Sequence, residues 1–307
     1  MQEQSPNIEI PHQTKVLSKE KKNIFSNLID YGKVFFLTIL VALLLKMFVV
    51  DAYRIPTSSM ENTLLKGDFL VVNKLAFGFR TPHFIPLTSF PIPIMTVPLF
   101  SKIHRGEVVI FEFPGNMNEI KPTEPTNYIK RCIGLPGDVV EIQNGLVSVN
   151  GSAMPFPSTG KYPSQYPNNE KLQSLDFFPE GSSYSSLNYG PLQIPKRGDL
   201  IPLTPENVSR WYTFIEREGH SILQKSDSIF IDGEVKSEYK IQRDYYFVLG
   251  DNRDNSRDSR YWGFVPDDHL IGEALFVYWS WDPDISVSSL DQKITTIRWN
   301  RIGILIS

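Results

Sequence analysis

Residues 127–149 read NYIKRCIGLPGDVVEIQNGLVSV. Asn127–Ile133 and Val139–Val149 are short runs rich in Val and Ile, separated by the turn signal Pro136-Gly137-Asp138. Asn144-Gly145 interrupts the second run, and such a pair suits a tight hairpin because both of its residues tolerate positive φ. Strand alternation puts Tyr128, Lys130 and Cys132 on one face and Ile129, Arg131 and Ile133 on the other. The same texture continues outward in Phe69–Leu75, Glu107–Phe113, Ser228–Val235 (with Asp232-Gly233 as its turn), Tyr245–Leu249 and Ala274–Trp281. No helix of more than a few turns is expected after Val50. The reading is mostly β: an antiparallel sheet domain with an inserted smaller β/loop subdomain.

The exception lies upstream. Val34–Val50, VFFLTILVALLLKMFVV, has only Thr38 and Lys46 among apolar residues, near the lower limit of length for a helix that crosses a hydrocarbon core. Lys46, close to its end, has the reach to snorkel. Lys15, Lys19, Lys21, Lys22 and Lys33 precede the segment, and only Arg54 and Lys66 follow within twenty residues. The positive-inside rule then keeps the N-terminus in the cytoplasm and exports the rest. A buried core helix and a cleaved leader are the competing readings. The leader fits worse, because thirty-three residues before the apolar stretch is long for one. The expected organisation is a cytoplasmic tail over 1–33 (its first twenty residues disordered), one transmembrane anchor over 34–50, a β domain over 51–150 and 226–307, and an insert over 151–225. Thr81–Phe100 carries five prolines, which forbid a central strand; a loop on the core and an apolar flap against the bilayer fit it equally.

Composition narrows the chemistry. The 307 residues carry 31 Lys+Arg and 34 Asp+Glu, a net charge of −3, and 41% are hydrophobic. That balance argues against a nucleic-acid binder. The single Cys132 excludes an internal disulfide, and the five scattered histidines make no metal-ligand pair. No metal and no cofactor is expected. A Ser–His–Asp hydrolase is disfavoured, since no Gly-x-Ser-x-Gly elbow is present.

Three segments carry candidate chemistry. Tyr53–Met60, YRIPTSSM, is a hydroxyl-rich turn just past the apolar helix. Tyr128–Asp138 holds a lysine among apolar residues. Gly250–Pro266, GDNRDNSRDSRYWGFVP, alternates Asp with Arg; it fails the EF-hand pattern at Arg253 and suits a loop locked by bidentate pairs. In this order, and with GEVVIFEFP at 106–114 and IRWNRIG at 297–303, these segments resemble the bacterial type I signal peptidases, membrane-bound serine endopeptidases with a Ser–Lys dyad.

The resemblance implies that Ser59 is the nucleophile, Lys130 the general base, and Ser256 the hydroxyl that orients the lysine. Thr57 then matches the side chain that shares the oxyanion hole with the Ser59 N–H. Ile55, Met60, Leu64, Tyr128 and Ile129 match positions lining the substrate pockets. Asp258 and Arg260 match a stiffening ion pair, with Asp251 as further support. Asn62 departs from the family, which usually has proline there, and a slightly looser loop is expected. The implied function is removal of signal peptides from secretory preproteins, with membrane lipid as the other partner and the catalytic domain on the outer face of the cytoplasmic membrane. A catalytically inactive, membrane-tethered β-scaffold is the alternative from another class, as a self-cleaving repressor is among Ser–Lys enzymes.

Overall fold

The structure is a computed structural model, and it describes residues 13–81, 90, 92, 95–97, 103–163, 172, 175–286 and 289–306. Most of Thr81–Phe100 lies outside these residues.

The first element is one helix, Gln13–Phe48. Its stretch Asn27–Phe48 has a mean hydropathy of 2.1 and no part of it is buried against the rest of the chain. An apolar surface of that size with no protein cover is what a lipid environment accommodates. Two boundaries differ from expectation. Residues 13–20 are helical, because the helical register runs continuously through the basic segment, whereas the sequence pattern suggested disorder. The apolar helix ends at Phe48, and Val50 already belongs to the strand Val50–Arg54.

That strand opens a seven-stranded antiparallel sheet in the spatial order Val50–Arg54, Asp68–Asn73, Leu270–Ser280, Val108–Glu112, Asn127–Gly134, Tyr245–Leu249, Val265–Pro266. The register shifts twice where Leu270–Ser280 pairs with Asp68–Asn73, and such irregularities bend and coil a sheet. Alternation divides its side chains between two cores. Val109, Phe111, Cys132 and Val248 pack on one side, and Leu70, Val72, Ile110 and Val277 on the other.

Both hairpins form at the expected dipeptides. Asn144 and Gly145 take φ of 51° and 81°, and Asp232 and Gly233 take 51° and 84°, the left-handed pair a primed turn requires. The expected insert, 151–225, shares sheets with residues on both sides of it. Tyr189–Gln193 pairs with Val139–Gln143, and Leu200–Pro202 pairs with Glu238–Lys240. Ile222–Lys225 pairs with Ser228–Ile231. A single apolar core, including Val140, Tyr189, Ile201, Ile215, Ile231 and Phe247, runs through all of them.

The C-terminal segment closes onto the large sheet through a buried charge. Asp68, fully buried, accepts from Arg301 Nη2 at 2.6 Å, from Ser280 Oγ at 2.7 Å and from the Leu65 N–H at 2.8 Å. Arg301 Nη2 also donates to the Thr63 carbonyl at 2.9 Å, inside the turn that follows Ser59. Removing one partner of a buried pair leaves an uncompensated charge. Arg301→Ala should therefore cost about 3–5 kcal/mol of stability, read by denaturant unfolding of the purified chain.

Candidate active site

The hydroxyl-rich turn leaves the sheet between Arg54 and Asp68. The Ile55 N–H donates to the Asp68 carbonyl and the Gly67 N–H to the Ile55 carbonyl, so the excursion closes on itself. Within it Asn62 has φ of 77°. A proline ring is locked near −65° and forbids this conformation, whereas asparagine tolerates it. The departure from the family at this position thus goes with a backbone path of its own, and is more than a loosened loop.

Lys130 stands in the strand Asn127–Gly134, which pairs along its length with Val108–Glu112. Its Nζ lies 2.8 Å from Ser59 Oγ and 3.0 Å from the Ile129 carbonyl, and the lysine is only 4% exposed. Burial lowers its pKa from 10.5 to about 8, against the opposing pull of the Asp258 and Asp251 carboxylates. That pull is blunted because each acid is held by an arginine. Arg131 meets Asp251 through Nε at 2.9 Å and Nη2 at 2.6 Å, with both side chains buried. Arg260 meets Asp258 through Nε at 2.8 Å and Nη2 at 3.0 Å, equally buried. Burial and the ion pair oppose each other at Asp258, and the pair wins, keeping that carboxyl below its usual range.

Thr57 Oγ1 lies 3.5 Å from Ser59 Oγ, so two hydroxyls and the lysine amine face one point. A cavity of about 550 Å³ opens there, lined by Pro56, Thr57, Ser59, Tyr128, Ile129 and Lys130 together with Leu172 and Leu175. Tyr128 and Ile129 therefore line the cleft, as the resemblance implied. Ile55, Met60 and Leu64 do not. They are buried to 2% exposure or less in the core behind it, against Leu70, Val72 and Val108, because the turn tucks its apolar residues under the sheet and presents its hydroxyls outward.

Ser256 also sits differently from its assigned role. It is fully buried, and its hydroxyl has no hydrogen-bond partner among the described residues. Its hydroxyl packs on Gly250, where an added Cβ would come within 2.1 Å of it and within 2.6 Å of the Ser59 carbonyl. Orientation of Lys130 falls instead to the Ile129 carbonyl and Ser59.

Sequence reasoning missed Arg131, which alternation set on the far face from Lys130, and Asn252, Leu172 and Leu175. Arg131 had a signal in its motif position beside the lysine; the two leucines had none. Among the described residues no cluster of three or more His, Cys, Asp or Glu is placed to hold a metal.

Residues 28–279 match the family model described as signal peptidase, peptidase S26. The signal peptidase I of Pseudomonas aeruginosa is 32% identical over 93% of this chain and 82% of its own length. That of Pseudomonas fluorescens is 30% identical over the same shares, and that of Rickettsia bellii 29% identical over 88% and 83%. A solved signal peptidase I from Enterococcus faecalis V583 is 21% identical, covering 56% of this chain and 97% of its own, at a TM-score of 0.25, too low to bear on the fold. The chain belongs to the peptidase S26 family of signal peptidases.

Freeing Asp251 from its arginine tests the electrostatic arrangement. In Arg131→Gln the carboxylate's pull on the Lys130 ammonium is no longer offset, which raises the lysine pKa. The acid limb of the pH–activity profile should move above about 8, with a loss of stability seen in thermal melts.

Proposed function

We infer that this chain is a membrane-anchored serine endopeptidase that removes signal peptides from exported preproteins, using Ser59 and neutral Lys130. The buried 2.8 Å contact between Lys130 Nζ and Ser59 Oγ carries the reading. An ordinary lysine is protonated at neutral pH and has no lone pair to offer. An amine with a pKa of about 8 is neutral in a useful fraction near that pH and serves as a base.

The chemistry follows from these positions. The Lys130 amine takes the Ser59 hydroxyl proton as Oγ attacks the scissile carbonyl carbon. The carbonyl oxygen becomes an oxyanion, stabilised by the Ser59 N–H and the Thr57 hydroxyl. The tetrahedral intermediate collapses, the C–N bond breaks, and the Lys130 ammonium returns its proton to the leaving amine. Water then gives a proton to the neutral amine and attacks the acyl carbon. The Ser59 oxygen leaves and recovers the proton from Lys130.

The half-buried Tyr128 and Ile129 and the wall of Leu172 and Leu175 suit small apolar side chains before the cut. A bound apolar segment would also dry the site further, and dryness is what keeps the amine neutral. The lysine-rich stretch before the apolar helix supports an N-terminus in the cytoplasm and a catalytic domain on the outer face of the cytoplasmic membrane. There it meets preproteins whose own apolar segments remain in the bilayer.

Ser59→Ala, Lys130→Ala and Lys130→Arg should each abolish processing of a model preprotein by the full-length chain in detergent. Arginine keeps the charge but does not deprotonate in a protein, so cleavage by Lys130→Arg would remove lysine from the role of base. In the unaltered chain kcat/KM should climb close to tenfold per pH unit on the acid side and level off above about 8, since only the neutral amine is competent.

A further inference from the structure

Asn252 grips the peptide unit whose N–H the oxyanion needs. The residue is 1% exposed. Its Nδ2 donates to the Ser58 carbonyl at 3.1 Å and to Glu61 Oε2 at 2.9 Å, and its own backbone N–H donates to the Ser59 carbonyl at 3.0 Å. Two oxygens facing the same end of the amide settle which end is nitrogen. The other end, Oδ1, is buried without a hydrogen-bond partner. Leaving a buried acceptor unsatisfied costs about 1–3 kcal/mol, and such a group in a native structure calls for a compensating role.

The Ser58 carbonyl and the Ser59 N–H belong to one planar peptide unit and point in opposite directions across it. A donor on the carbonyl therefore fixes the direction of the N–H. Hydrogen bonds in series also polarise one another, which strengthens the N–H as a donor. The second clamp, on the Ser59 carbonyl, fixes the next peptide plane, so Ser59 is held on both sides of its Cα. Asn255 adds a contact through Nδ2 to Ser58 Oγ at 2.8 Å.

We propose that Asn252 is a positioning residue for the oxyanion hole: its side-chain amide aims and polarises the Ser59 N–H by binding the Ser58 carbonyl. This rests on the reading of Ser59 as nucleophile. The residue touches no reacting atom and acts through the Ser58–Ser59 peptide.

Two variants test it in the full-length chain in detergent. Asn252→Ala removes both side-chain donors, and Asn252→Asp keeps the shape while turning a carboxylate oxygen toward the Ser58 carbonyl. The backbone clamp on Ser59 survives in both. Each should lower kcat about ten- to a hundred-fold, below the 10²–10³ typical of deleting an oxyanion donor outright. KM should stay within about twofold in both, and in Asn252→Ala, which adds no charge, the midpoint of the pH profile should not move. Binding of a substrate-like peptide aldehyde, whose hemiacetal oxygen occupies the hole, should weaken in step with kcat, while binding of an uncleaved peptide to the Ser59→Ala background should not. Combined with Thr57→Val, the losses should be non-additive, because both residues serve one oxygen. Folded variants with unchanged kcat and aldehyde affinity would overturn the proposal, as would losses that follow the melting temperature and disappear on cooling. If Ser59→Ala itself still cleaved, the peptidase reading would fall first. If Ser59 is essential and Asn252→Ala cleaves normally, only this inference falls.

Discussion

Everything at the centre of this molecule depends on keeping one amine out of water among acids that would otherwise hold its proton. Lys130 is buried between the Asp251 and Asp258 carboxylates, and both act to raise its pKa. Burial outweighs both and brings the amine down to about 8. Arg131 and Arg260 hold those acids in bidentate, buried pairs. The arginines thus do for the lysine what solvent would do for the acids, without admitting solvent. Two ion pairs that would be doubtful contributors to stability are better understood as a way of making an electrically quiet, dry site.

The same segment that supplies the acids also fixes Ser59. Residues 250–260 pack under the turn at 57–63, with the Asn252 N–H and side chain on the Ser58 and Ser59 carbonyls and Asp251 accepting from Thr63 Oγ1 at 2.6 Å. Arg131, next to Lys130 in the chain, closes the circuit from the lysine strand. Ser59, Lys130 and the last segment are therefore mutually located by hydrogen bonds that span 71 to 194 residues of sequence. The large sheet provides the frame: the turn grows between its first two strands, and Lys130 lies on a strand paired on both sides at its far end.

Local signals were legible where the physics is local. The Asn144-Gly145 and Asp232-Gly233 hairpins form because two residues in sequence must adopt positive φ, and those dipeptides do so cheaply. The apolar helix was legible from length and composition, but its amphipathic-free lysine segment hid the fact that the helix begins by Gln13. The strands Tyr189–Gln193 and Leu200–Pro202 were not legible: they find partners far off in the chain, in Val139–Gln143 and Glu238–Lys240, and their Pro- and Gly-rich sequence reads as loop. Placing a boundary at 150 separated strands that lie in one sheet for the same reason.

The linear order of residues determined that this chain has an apolar N-terminal helix, a body of short antiparallel strands, and three segments with the makings of a Ser–Lys site, since each of these is written in neighbouring residues. Tertiary structure alone decided which of those residues meet. It buried Ile55, Met60 and Leu64 behind the cleft, brought Leu172 and Leu175 to its lining, packed Ser256 on Gly250, and set Asn252 on the Ser58 carbonyl. A side chain's surroundings are set by what folds back onto it from elsewhere in the chain, and pKa, polarity and reach all follow from those surroundings.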